Sequence, residues 1–209
     1  MRDIRDGSEQ DLVWNWARAE IESERHSRHY NLPPRLLQFL QNDQRPDLTQ
    51  EDWKVLADAV FSVRGPLLKG LRRLSTGWST GVLNYEELLD LKIMGWSGFV
   101  SWAPSGSFEE FVRAVNRGQP PVTKEWLSHY LKLRGSFDET KIKGCPILVS
   151  KKKDGPYTIV EGYGRLSVLT SHYLEGKLPA GEINIVLGIC ERLEDWYLHD
   201  NSNSDHLFM

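Results

Sequence analysis

The segment GCPILVSKKKDGPYTIVEGYGRLSVLTSHYLEGKLPAGEINIVLGIC, residues 144–190, contains the pattern that decides the fold. Two short apolar runs, at 145–149 and 157–160, are rich in residues that favour strands. Between 166 and 173 the apolar spacing lengthens to that of one helix face. A third run, at 183–189, is again apolar and β-branched. The sequence therefore predicts a strand, a hairpin, a second strand, a tight glycine turn, a helix and a third strand.

The turn before the helix, which we call the glycine turn (residues 161–165, EGYGR), is the chemically distinctive point. Gly162 and Gly164 flank Tyr163 and let the backbone take unusual dihedrals and approach a ligand closely. The start of the following helix presents free N–H groups and a partial positive charge, which suit a phosphate. Arg165 adds a bidentate donor in the first turn. Alternatively, the glycines only form a sharp corner and Arg165 makes a surface ion pair.

The sequence PILVSKKKDGPYTIVEGYGRLSVL resembles the core of the ParB/sulfiredoxin-like superfamily, over roughly residues 125–190. The features in common are a Pro-Ile strand, a hairpin, an acid-Gly-x-x-Arg sequence and an Arg-Leu helix start. They fall on Pro146, Ile147, Val149, Asp154, Gly155, Ile159, Glu161, Gly162, Arg165 and Leu166. The resemblance implies a small mixed sheet that binds nucleotide or phosphate at the glycine turn. Members of the superfamily repair oxidised cysteine with ATP, bind and hydrolyse CTP beside DNA, phosphorylate free serine, or act as nucleases.

The chain departs from these relatives between the glycine and the arginine of the motif. Sulfiredoxins have Cys-His there, ParB proteins Glu-Arg and many relatives His-His, whereas this chain has Tyr163 and Gly164. Because the loop contains no thiol, sulfiredoxin chemistry is not expected. The glycine turn, the helix N-terminus, Glu161 and Arg165 are the features that remain.

These features and the resemblance lead to two alternative functions, one catalytic and one non-catalytic. The first is a nucleotide-dependent phosphotransferase or hydrolase, of NTPase or nuclease type, that uses a nucleotide triphosphate with Mg²⁺. In it Gly162, Tyr163, Gly164 and Arg165 bind the phosphate, and Glu161 is the metal ligand or general base. The second is a non-catalytic module that keeps the fold and binds DNA or a protein. The expected partner is a nucleotide or phosphorylated small molecule, with nucleic acid as a further candidate.

The composition is that of an ordinary soluble protein of 209 residues, with 40% hydrophobic and 26% charged residues. It contains no apolar run of the length that a membrane helix needs, and the polar N-terminus is unlike a secretory signal. We therefore expect a cytoplasmic protein without a membrane partner. The net charge of -3 leaves only local basic patches to attract nucleic acid.

The two cysteines, Cys145 and Cys190, fall in predicted buried strands and are expected to be reduced and inert. If the two strands are neighbours, a disulfide between these cysteines is a geometrically possible alternative. Two cysteines without a Cys-x-x-Cys motif do not make a zinc site, so no zinc or redox cofactor is predicted.

A basic segment precedes the predicted sheet. Arg64, Lys69, Arg72 and Arg73 follow one another without an acid between them, and a polar loop at 75–81 then surrounds Trp78. Arg72, Arg73 and Trp78 are predicted to face solvent, where they would contact nucleic acid through phosphate pairing and base stacking. The alternative is a solvent-facing helix and an ordinary connector. The Lys151-Lys152-Lys153 run at the hairpin tip either keeps the edge soluble or faces a phosphate.

Helical apolar spacing dominates the N-terminal part of the chain. We predict a helical subdomain over 1–95, a ParB/sulfiredoxin-like domain over 96–200 and a frayed tail over 201–209. The segment WSGFVSW, at 96–102, is predicted to be the first strand of the sheet or the link into it. The predicted class is α+β, with the helical part packed on a small mixed sheet.

Overall fold

The computed structural model describes residues 1–21, 27–42, 45–74, 76–118, 124–138, 144–196 and 198; the predicted tail at 201–209 lies outside them. These residues form an α+β fold, as predicted. The helices are α1 (Glu9–Ile21), α2 (Pro34–Gln41), α3 (Gln50–Arg73), α4 (Ser97–Val100), α5 (Phe108–Asn116), α6 (Lys124–Gly135) and α7 (Tyr163–Leu174). Within the described ranges, none of the helices combines the length and apolarity needed to cross a membrane.

A five-stranded mixed sheet lies at the centre of the fold, in the order β1-β2-β5-β3-β4. Strand β3 runs parallel to β5, and the other neighbours are antiparallel. The strands are β1 (Arg2–Asp6), β2 (Gly77–Asn84), β3 (Ile147–Ser150), β4 (Thr158–Glu161) and β5 (Glu182–Ile189).

The segment 144–190 folds as its sequence predicts: β3, a hairpin, β4, the glycine turn, α7 and β5. Helix α7 begins at Tyr163, one residue from Gly164. Parallel strands need a long crossover connection, and β4 with α7 supplies it between β3 and β5. The buried residues of β3 and β5 then form the middle of the core.

The expectation that residues 1–95 are helical is wrong at β1 and β2. Strand β1 is an edge strand and is mostly exposed, so it has no apolar alternation to reveal it. Strand β2, GWSTGVLN, was predicted in part as a polar loop because glycine, serine and threonine fill its first half. It pairs with β5 from Gly77 opposite Ile189 to Asn84 opposite Glu182, so one sheet extends across the predicted boundary at residue 95.

The segment 96–102 is also not a strand, since Ser97–Val100 forms the short helix α4. Its aromatic residues recur every three positions, at Trp96, Phe99 and Trp102, which is a helical spacing. Phe99 is buried against Phe111, with ring centroids 5.2 Å apart. These aromatic contacts pack the connection between the two parts of the chain into the core.

The contacts between helices form two groups, one around α1 and one around α7. Helix α1 packs against α2, α3 and β2, while α5 and α6 pack against α7. Helix α3 begins with a complete capping box between Thr49 and Asp52, in which each side chain bonds to the other's backbone N–H. The last turn of α1 and the interior of α3 lie near the glycine turn.

Candidate functional site

The glycine turn is held in one conformation by close packing. Gly162 has a φ of 99°, in the left-handed region that glycine favours, and a Cβ there would lie 2.9 Å from the Cβ of Pro146. Helix α7 begins at the next residue, and no described side chain caps it. The first N–H groups of a helix have no intrahelical acceptor, so the N–H groups of this turn need acceptors from outside the helix.

Tyr163 does not face the turn with its side chain. It is buried, and its ring stacks on Phe99 with the centroids 4.2 Å apart. The hydroxyl accepts a hydrogen bond from the Met94 N–H at 2.7 Å and donates to the Ile159 carbonyl at 3.0 Å. Burial raises the pKa of Tyr163 far above its usual range. The predicted phosphate contact at this residue is therefore limited to its backbone N–H.

Gly164 is partly covered by helix α6. A Cβ at this position would lie 3.2 Å from Cδ1 of Leu133. Neither residue between Gly162 and Arg165 thus presents a polar side chain at the turn.

Arg165 and Glu161 are bonded to each other. Arg165 Nη2 lies 2.5 Å from Glu161 Oε2, and Nη1 donates to the Gly144 carbonyl at 2.7 Å. The side chains are only 17% and 20% exposed. Arg165 therefore forms the ion pair of the alternative prediction, but this pair is largely buried and does not lie on the surface. The guanidinium ties the first turn of α7 to the end of β4 and to the chain just before β3.

A second group of charges, which sequence reasoning missed, lies next to this pair. Glu20 of α1 is 2% exposed and accepts a hydrogen bond from Arg64 Nε of α3 at 2.8 Å. It also accepts from Trp16 Nε1 at 3.3 Å. We call Glu20, Arg64, Glu161 and Arg165 the buried charge cluster.

Electrostatic coupling links the two pairs of this cluster. Burial raises the pKa of Glu20, the negative charge of Glu161 adds to the shift, and Arg64 opposes it. Burial also raises the pKa of the nearby Tyr30, and both carboxylates contribute. Strongly shifted groups that meet in one place are typical of functional sites, although structural ion pairs produce them too.

A sequence signal for Glu20 did exist. Glu20 follows the buried Trp16 by four residues, so both lie on the apolar face of α1. A charged residue on a buried helix face needs a partner of opposite charge. The position of Glu20 on this face therefore predicts a basic partner from another element. Arg64 gave no such signal, because the neighbouring basic residues favoured an interpretation as a solvent-facing segment.

The prediction that both cysteines are buried is confirmed at Cys190 and wrong at Cys145. Both thiols are unbridged, Cys190 is buried, and its Sγ donates to the Leu74 carbonyl at 3.7 Å. Cys145 is half-buried, and burial raises the pKa of its thiol, against the opposing effect of Arg165 and Arg18. A raised pKa lowers the thiolate fraction, which does not favour a nucleophilic cysteine.

The predicted nucleic-acid contacts are only partly available. Arg72 and Arg73 are exposed, but Arg72 Nε pairs with Glu9 at 2.6 Å and its guanidinium lies 4.1 Å from the ring centre of Phe61. Trp78 is half-buried in β2, opposite Gly188 of β5, and its indole covers that glycine. The prediction of a loop tryptophan facing solvent is therefore wrong.

The chain matches no protein-family model, no curated protein and no solved structure. The ParB/sulfiredoxin-like assignment therefore stays a prediction from the sequence pattern. Among the described residues, His, Cys, Asp and Glu side chains do not gather in groups of three that would hold a metal ion.

Proposed function

We propose that the protein binds a phosphate-bearing ligand, a nucleotide or a phosphorylated small molecule, at the glycine turn. One observation carries the proposal: helix α7 starts without a described side-chain cap, directly after the left-handed Gly162, and has Arg165 in its first turn. Free N–H groups, the helix dipole and an arginine fork favour an anion at the same point.

We infer that this ligand is bound and not transformed. Tyr163 is in the core, Gly164 has no side chain, and Glu161 is paired with Arg165. A general base must lie within hydrogen-bond reach of the proton it removes, and Arg165 already occupies Oε2 of Glu161. This supports the non-catalytic class over a phosphotransferase or hydrolase. A nucleotide triphosphate with Mg²⁺ stays one candidate ligand, with the Glu161 carboxylate as the candidate contact of the metal.

Arg165 would have to share its donors with the ligand. Its guanidinium has five N–H groups, and two of its nitrogens already bond to Glu161 and the Gly144 carbonyl. Substitution of Arg165 therefore affects folding as well as binding, and the test needs a variant that keeps the charge.

The first experiment is a thermal-shift panel of nucleotides and inorganic phosphate, with and without Mg²⁺. A ligand that binds only the folded state raises the melting temperature. Calorimetric titration of the best ligand then compares wild type with Arg165→Ala and Arg165→Lys. A charge-assisted bond contributes about 1.5–3 kcal/mol, so the alanine variant should bind about ten- to a hundredfold more weakly. Lysine should recover only part of this, since it is a point charge.

Arg113→Ala is the matched control. Arg113 also pairs with an acid four residues earlier, Glu109, but on the exposed surface of α5. It should leave the affinity unchanged. Equal affinities for folded wild type and Arg165→Ala, or the absence of any stabilising ligand, would refute the proposal. Nucleotide hydrolysis that Glu161→Gln abolishes would instead establish an enzyme.

A further inference from the structure

A pocket lies at the other end of strand β4 from the glycine turn. It has a volume of about 440 Å³ and lies between the β3–β4 hairpin, the segment 92–95, the loop 104–106 and Leu193. Three lysines from two separate parts of the chain line it: Lys92, Lys151 and Lys152. We call it the lysine pocket.

Backbone hydrogen bonds fix the walls of the lysine pocket to one another. The Lys92 N–H donates to the Tyr157 carbonyl at 2.8 Å, and the Lys92 carbonyl accepts from the Ile159 N–H at 2.9 Å. On the other side, the Ile93 N–H donates to the Gly106 carbonyl at 3.0 Å. The segment around Lys92 is thus bonded on one side to β4 and on the other to the 104–106 loop. Such a pocket is largely preformed, and a ligand need not order it first.

The charge of the lysine pocket differs from that of the chain as a whole. The chain carries a net charge of -3, whereas the residues that line the pocket include three lysines and no carboxylate. Lys151 pairs with Glu194 at 2.7 Å. Lys92 and Lys152 are exposed, and no ion pair joins either of them to a residue that the structure describes. Two ammonium groups are therefore available to an anion.

Apolar side chains form another part of the lining. They come from each wall and are Ile93, Val100, Pro104, Pro156 and Leu193. A free inorganic anion would leave this surface uncovered, whereas an organic anion with a ring or carbon chain would bury it. The volume is in the usual range for small-molecule sites, about 300–1,000 Å³.

We propose that the lysine pocket binds a small organic polyanion, an apolar ring or chain that carries two or more phosphate groups. The site is separate from the glycine turn, because Thr158 and Glu161, at opposite ends of β4, are about 10 Å apart along the strand. The two proposals do not depend on each other.

The test is calorimetric titration of ADP, as the probe, into the full chain at low ionic strength. Lys92→Gln and Lys152→Gln should each weaken ADP binding about fivefold, and the double variant about 25-fold, if the effects add. Lys153→Gln is the matched control, since Lys153 lies on the same hairpin but does not line the pocket. It should stay within about twofold of wild type. Circular dichroism should show all four variants folded, because the substituted side chains are exposed.

Three results would overturn the proposal. The first is the absence of ADP binding to wild type, and the second is an equal loss in Lys153→Gln, which would mean diffuse attraction to the hairpin. The third is weaker ADP binding in Arg165→Lys with no change in the lysine variants. That result would place ADP at the glycine turn and support the other proposal. If ADP occupies both sites, the titration has two phases, and each set of variants weakens the affinity of one of them.

Discussion

The two ends of strand β4 present charged side chains in opposite ways. At the Glu161 end, Arg165 and Arg64 are bonded to carboxylates and largely withdrawn from water. At the Thr158 end, Lys92 and Lys152 extend into solvent around a preformed pocket. Buried charges are costly to leave unpaired, whereas exposed charges contribute little to stability. Substitutions at the first end should therefore change folding, and substitutions at the second should change mainly binding.

This difference bears on how the glycine turn is interpreted. The motif directs attention to Arg165, which the fold already uses to connect α7, β4 and the chain before β3. A ligand must compete there with existing bonds. In the lysine pocket, no ion pair with a described residue holds Lys92 or Lys152. The motif and the lysine pocket thus lie at different ends of the same strand.

The largest effect is expected for Arg64→Met. The change removes the guanidinium that bonds to the buried Glu20 and keeps most of the apolar stem. Breaking a buried pair by removing one partner usually costs about 3–5 kcal/mol, and we expect the lower end, about 3 kcal/mol, because Trp16 still donates to Glu20. Urea unfolding at neutral pH measures this loss in the free energy of unfolding.

Lys54→Met is the control for this prediction. Lys54 lies on the same helix, α3, and pairs with Asp58, but both side chains are about two-thirds exposed, at 67% and 68%. Its unfolding curve should overlay that of wild type. If both variants lost stability equally, burial would not be what separates the two kinds of pair.

A smaller effect is expected for Tyr163→Phe. The hydroxyl accepts from the Met94 N–H and donates to the Ile159 carbonyl inside the core. Without it the Met94 N–H is buried and loses its acceptor, which should lower the free energy of unfolding by about 2 kcal/mol. The matched variant is Tyr157→Phe at the lysine end of β4, where the hydroxyl donates to the exposed Lys153 carbonyl. There the free energy of unfolding should change by no more than about 0.5 kcal/mol. Equal losses would contradict the contrast between the two ends.

Much of the fold near the glycine turn could be predicted from sequence. The change of apolar period after Gly164 marks α7, and the β-branched runs mark β3, β4 and β5 because these strands are buried on the sheet. Strand β1 could not be predicted in the same way, since it is exposed at the sheet edge and has no apolar pattern. Strand β2 was hidden by its small polar residues.

The candidate sites were predictable only where one local segment carries them. Gly162 and Arg165 are three residues apart, so a motif contains both. Glu20 and Arg64 meet only because α1 packs on α3. Lys92 meets the hairpin lysines because its segment bonds to β4. Such contacts between distant parts of the chain depend on topology, which local spacing does not determine.

The smallest effect, a change in pH dependence, is expected for Glu20→Gln. Burial raises the pKa of Glu20 in the folded protein above its ordinary value of 4.5, while the unfolded chain keeps the ordinary value. Between these two values the folded state binds more protons than the unfolded state, so stability falls as the pH rises through this range. Glutamine does not titrate, and it removes this contribution.

We therefore expect the stability of Glu20→Gln, relative to wild type, to improve as the pH rises from 4.5 through the raised pKa of Glu20. Urea unfolding of both proteins across this range measures the difference. Glu175→Gln should show the opposite sign below pH 4.5, because the hydrogen bonds from Lys177 and Arg134 lower the pKa of Glu175. The stability that Glu175 contributes is present above its ordinary pKa of 4.5 and is lost as the pH falls through the lowered value. If the stability of Glu20→Gln relative to wild type did not rise with pH, the effect of Arg64 on the pKa of Glu20 would outweigh that of burial. Glu20 and Arg64 would then form an ordinary ion pair.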